Sequence, residues 1–126
     1  MPKYNKNEAI IEKIVVYCDE INNFVVRFGK SYESFFNDYA YQRACSMCIL
    51  QIGELANRLT KEFIDNYDKL PWPKIRGMRN VLAHDYDNML ISRVWQTIEN
   101  DIPGVKNYCL FILNELNTEK DNNEKV

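Results

Sequence analysis

The stretch Asn7-Glu8-Ala9-Ile10-Ile11-Glu12-Lys13-Ile14-Val15-Val16-Tyr17-Cys18-Asp19-Glu20-Ile21-Asn22-Asn23-Phe24-Val25-Val26-Arg27-Phe28 carries Ile11, Ile14, Cys18, Ile21, Val25 and Phe28 at alternating steps of three and four. That is the helical period, so one stripe of the segment is apolar and the stretch predicts an amphipathic helix. Ile10, Tyr17 and Phe24 widen the stripe, and Gly29 suits a C-terminal cap. The same reading extends outward. Ser31 is a second start signal, and Phe36, Tyr39, Cys45, Cys48, Ile49, Ile52, Leu55, Leu59 and Phe63 predict the longest helix, from Phe35 to about Phe63, with a bend near Tyr39 to Tyr41. Asn66-Tyr67-Asp68-Lys69-Leu70-Pro71 reads as a loop, and Pro71-Trp72-Pro73 opens a third helix whose buried stripe is Ile75, Met78 and Leu82. A fourth helix is predicted at about Met89 to Asn100 and a fifth at about Pro103 to Asn117, separated by Asn100-Asp101-Ile102-Pro103-Gly104. No strand pattern of any length is present, so the expected fold is all-α with about five helices. One domain is expected over residues 1–117, and the polar, charged tail Thr118 to Val126 is expected to be disordered.

At 126 residues the chain can bury one core and not two. Its net charge of −2 excludes a protein that coats nucleic acid by bulk electrostatics, so any RNA contact must be local. No apolar run approaches the roughly 20 residues that span a bilayer, and Met1-Pro2-Lys3-Tyr4-Asn5 carries no secretory signal pattern, so a cytoplasmic, membrane-free protein is expected. Cys45-Ser46-Met47-Cys48 has the spacing of half a zinc site, but no second pair and no nearby histidine completes it. Cys18, Cys45, Cys48 and Cys109 all occupy apolar-periodic positions and read as small core hydrophobes, so no metal and no cofactor is expected.

The local positive site is on the third predicted helix. Between Pro71 and His84 the charges are Lys74, Arg76 and Arg79, with no carboxylate. His84 is the only histidine, five residues after Arg79 and two before Tyr86. Imidazole can take and give a proton near neutral pH, and a guanidinium can grip a phosphate and the charge that builds on it. Those are the parts of metal-independent RNA cleavage, in which a 2′-hydroxyl attacks its own phosphate: a base, an acid and a cation. His84 suits base or acid, Arg79 the cation, and Asn80, one turn before His84, could orient the ring by a hydrogen bond. A single histidine is too few for both proton transfers. A twofold dimer would bring a second His84 and Arg79 into the same cleft. Arg76, Asn80 and His84 lie at i, i+4 and i+8 on one face, and Lys74 and Trp72 are candidate RNA contacts, the indole and the Tyr86 ring by stacking on bases. Gly53, inside a predicted helix, points to the close approach of another backbone.

At these residues the sequence resembles the HEPN superfamily and, within it, the HepT-like (DUF86) toxins. Their R-x-x-x-x-H-x-Y hallmark, with a polar residue after the arginine, is matched by Arg79, Asn80, His84 and Tyr86. The run Gln51-Ile52-Gly53-Glu54-Leu55-Ala56-Asn57-Arg58-Leu59 resembles a second family segment, Leu70-Pro71-Trp72-Pro73-Lys74-Ile75-Arg76-Gly77-Met78-Arg79-Asn80 a third, and Val94-Trp95 followed by Asp101-Ile102-Pro103 the C-terminal pattern. The resemblance implies an up-and-down helical bundle that forms a homodimer, with a composite endoribonuclease site built from Arg79 and His84 of both protomers. It implies a toxin of a type VII-like toxin-antitoxin pair, silenced by a minimal nucleotidyltransferase antitoxin that uses ATP to place AMP on Tyr86. It also gives Glu54 a place in the cleft, paired with Arg76 or Arg79. The alternative is a non-catalytic helical module that binds nucleotide or substrate for such a transferase. The intact Arg79, Asn80 and His84 favour the nuclease, because a docking module has no need of that spacing.

Overall fold

The computed structural model describes residues 5–84 and 88–124, with side chains described for residues 5–82, 91–122 among these. Seven α-helices and one π-helical turn follow one another among the described residues, with no strand: α1 (Lys6–Phe28), α2 (Tyr32–Phe36), α3 (Tyr39–Asn57), α4 (Lys61–Asn66), α5 (Trp72–His84), α6 (Asn88–Gln96), the π-turn (Thr97–Asp101) and α7 (Ile102–Glu124). The periodic stripe of α1 is the one that packs. Ile11, Ile14, Cys18 and Ile21 are completely buried, each apolar side chain of this size contributing about 1.5–3 kcal/mol. The helix starts at Asn5, whose side chain accepts from the Glu8 amide at 3.1 Å, and stops at Gly29, where φ of +117° suits a residue without Cβ.

The long second helix expected over Phe35 to Phe63 is three helices. Asn37 and Asp38 interrupt it first, with the Asp38 carboxylate accepting from the Tyr41 amide to start α3. Arg58 closes α3, and Thr60 caps α4 by accepting from the Phe63 amide. The break after α2 is tied down by buried Gln42, whose amide donates to the Phe35 and Phe36 carbonyls at 2.9 and 2.8 Å. Beside it Phe35 and Trp95 each meet Tyr41 edge to face and lie tilted against one another, with Phe28 stacked on Tyr41.

The break expected between the last two helices is absent. The chain runs from α6 through the π-turn into α7, the Ile102 amide reaching back to the Thr97 carbonyl. A π-turn lets Pro103, which has no amide hydrogen, sit in a continuous helix. The tail is also helical as far as Glu124, and Lys120 grips both oxygens of buried Glu8 at 2.8 and 2.6 Å. α3 is the central helix, packed along α1 on one side and α5 on the other, with α7 lying along α1. No described helix is long and apolar enough to cross a membrane.

Candidate active site

α5 is hung on its first residue. Trp72 is buried, and its indole N–H donates to the Tyr67 carbonyl at 2.6 Å. Its role is therefore that of an anchor under the α4–α5 loop, and the expected stacking on RNA bases is corrected: with 1% of its surface exposed, the ring has no free face. Met78 and Leu82 bury the inner stripe of the helix, as expected.

Arg79 sits where this stripe meets the surface, against Gly53 of α3. A Cβ built on Gly53 would lie 2.8 Å from the Arg79 Cβ, 3.1 Å from the Ile75 carbonyl oxygen and 3.3 Å from the Arg79 amide nitrogen. Glycine is what lets α5 approach here. The next residue, Glu54, accepts a hydrogen bond and ion pair from Arg79 Nε, and Arg79 Nη1 donates to Asn80 Oδ1 at 3.1 Å. Of the two partners the resemblance implied for Glu54, the structure supplies Arg79. Asn80 meets Arg79; whether it also orients His84, as expected, falls on a side chain outside those described, and Tyr86 lies outside the described residues altogether.

Arg79 and Asn80 open into a groove of about 320 Å³ with Arg76, Gly77, Pro73 and Asn57. Among the described residues its lining holds two guanidinium groups and two amides and no carboxylate, which suits a phosphodiester. Asn57, from the end of α3, was missed by the sequence reading, since nothing in the periodicity of α3 marks its last residue as facing α5. Lys74 lies elsewhere. Its ammonium pairs with Asp101 of the π-turn at 3.3 Å, and it borders a different, mostly apolar cavity of about 180 Å³ with Ile49, Ile52, Ile75 and Met78. Lys74 is therefore not grouped with Arg76 and Arg79 as an RNA contact.

His84 is the last residue of α5. At about 100° per residue, five positions put it about 140° around the axis from Arg79, whereas Asn80 is four positions away and shares its side of the helix. Nearby, Leu82 joins Arg43, Ser46, Met47 and Leu50 of α3 in a second groove of about 320 Å³. The cysteines offer no competing chemistry. All four are buried, and burial pushes the thiols of Cys18, Cys45 and Cys109 up to about 12 and that of Cys48 to about 11, so they stay protonated. Among the described residues no group of three or more histidine, cysteine or acidic side chains is arranged to hold a metal.

The family model described as "Ribonuclease HepT-like" matches residues 11–112. The chain belongs to the HepT-like family. Similar proteins include "Putative RNase MJ1216" of Methanocaldococcus jannaschii, 30% identical over 97% of this chain and 98% of that protein. "Putative RNase TTE0752" of Caldanaerobacter subterraneus subsp. tengcongensis is 36% identical over 82% of this chain and 90% of its own length. "Probable ribonuclease HepT" of Thermococcus cleftensis is 29% identical over 60% of this chain and 68% of its own length. No solved structure matches this HepT-like chain.

Proposed function

We propose that this HepT-like protein is an endoribonuclease that cleaves RNA by attack of the 2′-hydroxyl on the adjacent phosphate, without a metal, and that it acts as the toxin of a toxin-antitoxin pair. The observation that carries the reading is Arg79, held by Glu54 and Asn80 at the edge of a groove without a carboxylate among its described residues, on the helix that ends at His84. Family membership and the names of the relatives support the same chemistry. Arg79 steadies the charge on the pentavalent phosphorus, His84 moves the proton, and Arg76 and Asn80 hold the flanking backbone.

Two features favour a composite site in a homodimer. There is one histidine per chain for two proton transfers. The Arg79 and His84 positions also face different ways around α5, so that a second copy, docked over the groove at Met47, Leu50 and Leu82, would complete what one protomer begins. The purified protein is expected to cleave single-stranded RNA in EDTA and leave 2′,3′-cyclic phosphate ends. Arg79→Ala and His84→Ala should each lower the rate at least about a hundredfold, the usual scale for a charge stabiliser or an acid-base group. Mixed dimers of the two variants should regain part of the activity that neither homodimer has. Full activity of both variants overturns the site, and a strict need for Mg²⁺ overturns the chemistry.

The proposed partner is a minimal nucleotidyltransferase antitoxin that transfers AMP from ATP to Tyr86. An adenylyl group two residues from His84 in the sequence would bring an anion to the site and oppose the RNA backbone by like charge. Co-expression should add AMP to a Tyr86 peptide and abolish cleavage, and Tyr86→Phe should escape both. Silencing of the Phe variant without modification would replace the switch by simple masking.

A further inference from the structure

The geometry points to Glu54 as the positioning residue of the site: it holds the Arg79 guanidinium from behind and fixes the direction in which its free donors face the groove. The inference rests on the ribonuclease reading for its function but not for its geometry. A guanidinium has five N–H donors, of which Nε is given to Glu54 and one on Nη1 to Asn80. Three remain, enough for a bidentate grip on a phosphate. An unrestrained arginine carries rotamer entropy that would have to be given up as the guanidinium closes on the charge that develops in the transition state. Here α3 has removed that freedom before RNA arrives.

Three features separate this role from a direct part in the reaction. Arg79 lines the groove, whereas Glu54 is not among the residues that do so. A Glu54 oxygen is engaged by the arginine, and it reaches Nε rather than the Nη edge that grips phosphate. The reach is fixed by Gly53, because any side chain there would press α5 outward at Ile75 and Arg79 and pull the guanidinium off its carboxylate. The Gly53-Glu54 pair thus works as one device: glycine sets the distance between the helices and glutamate uses it to aim the arginine. The carboxylate also offsets the arginine's charge in the free protein, so its removal should not weaken RNA binding.

The test compares Glu54→Ala, Glu54→Gln and Arg79→Ala on an end-labelled single-stranded RNA of mixed sequence, with nitrogen-15 spectra of the arginine side chains. Glu54→Ala is expected to lower kcat about ten- to a hundredfold with KM unchanged or lower. Glu54→Gln keeps an oxygen that accepts from Nε and should recover most of the loss, with the pH profile of kcat/KM unaltered. The Arg79 Nε–H resonance should exchange slowly in the wild type and in Glu54→Gln and rapidly in Glu54→Ala. Loss of the acid limb of the pH profile in Glu54→Gln would make Glu54 a base and overturn the proposal. So would unchanged Arg79 exchange in Glu54→Ala, or a loss that appears wholly in KM. If the wild type itself leaves RNA intact, the ribonuclease reading fails, and the exchange measurement still decides whether Glu54 positions Arg79.

Discussion

Arg79, Glu54 and Trp72 show how much chemistry one residue's surroundings can decide. All three lie in segments of high family resemblance, yet only the packing separates an arginine at a groove from a tryptophan under a loop. Because Trp72 is buried and hydrogen-bonded through its indole, its substitution should be read in stability and not in RNA affinity. Trp72→Ala is expected to cost about 3–5 kcal/mol in chemical denaturation, and Trp72→Phe about 1–2 kcal/mol from the lost hydrogen bond and volume. Trp72→Phe should leave the KM for RNA within about twofold, whereas a base-stacking tryptophan would lose about 1–3 kcal/mol of binding per base. Arg79 and Asn80 were legible as site candidates from spacing and residue type. The burial of Trp72 and the Lys74 pairing with Asp101 were not, since composition shows that a helix is basic without showing which of its charges share a side.

The elements were legible where an apolar stripe and a cap agreed. α1 ends at Gly29 as its sequence predicts, and of the expected α5 stripe Met78 and Leu82 are buried while Ile75 is half-buried against the core. The second predicted helix failed because a period of 3.6 continues across short interruptions: Asp38 and Thr60 are good N-caps, but the apolar residues on either side stay in phase. The last two helices were split for the opposite reason. Pro103-Gly104 reads as a break, and the π-turn that ends just before this pair leaves no periodic trace. Mid-helix Gly53, by contrast, was legible as a point of close approach and proved to be one. Its counterpart Gly77 has open space within 4 Å of a built Cβ. Gly53→Ala should therefore lower stability by about 1–2 kcal/mol, overpacking outweighing the gain in helix propensity, and lower cleavage at least tenfold. Gly77→Ala should raise stability by about 1 kcal/mol. Thermal melts of both variants check the pair, and a stabilised Gly53→Ala would show that the α3–α5 approach is loose.

For the whole molecule, the all-α class was plain from periodicity, while the pairing of helices was not, because a stripe says that a face is buried and not against what. The core that results includes four thiols from α1, α3 and α7. In the folded protein their pKa values lie near 11 to 12, above the roughly 8.5 of an exposed thiol. The native state therefore holds these protons more tightly than the unfolded chain. Their contribution is complete below about pH 8.5 and is lost as pH rises towards the folded values, at up to about 1.4 kcal/mol per pH unit for each thiol. Denaturation under reducing conditions should show stability falling steeply between pH 9 and pH 11. Cys18→Ala, weaker at pH 7 for its cavity, should have a shallower alkaline slope; an unchanged slope would place the pH sensitivity elsewhere.

The clasp between Glu8 and Lys120 joins residues 112 positions apart, and a growing polypeptide makes them in that order. At the usual pace of translation, Glu8 waits on the order of ten seconds for its partner. During that interval the part of α1 that α7 will cover remains wet, and Glu8 keeps its hydration shell. The nascent chain can bring Gly53 and Arg79 together first, because only 26 residues separate them. Synthesis thus sets a timetable in which Arg79 can be aimed by Glu54 before the bundle is sealed, while the last helix is still to come.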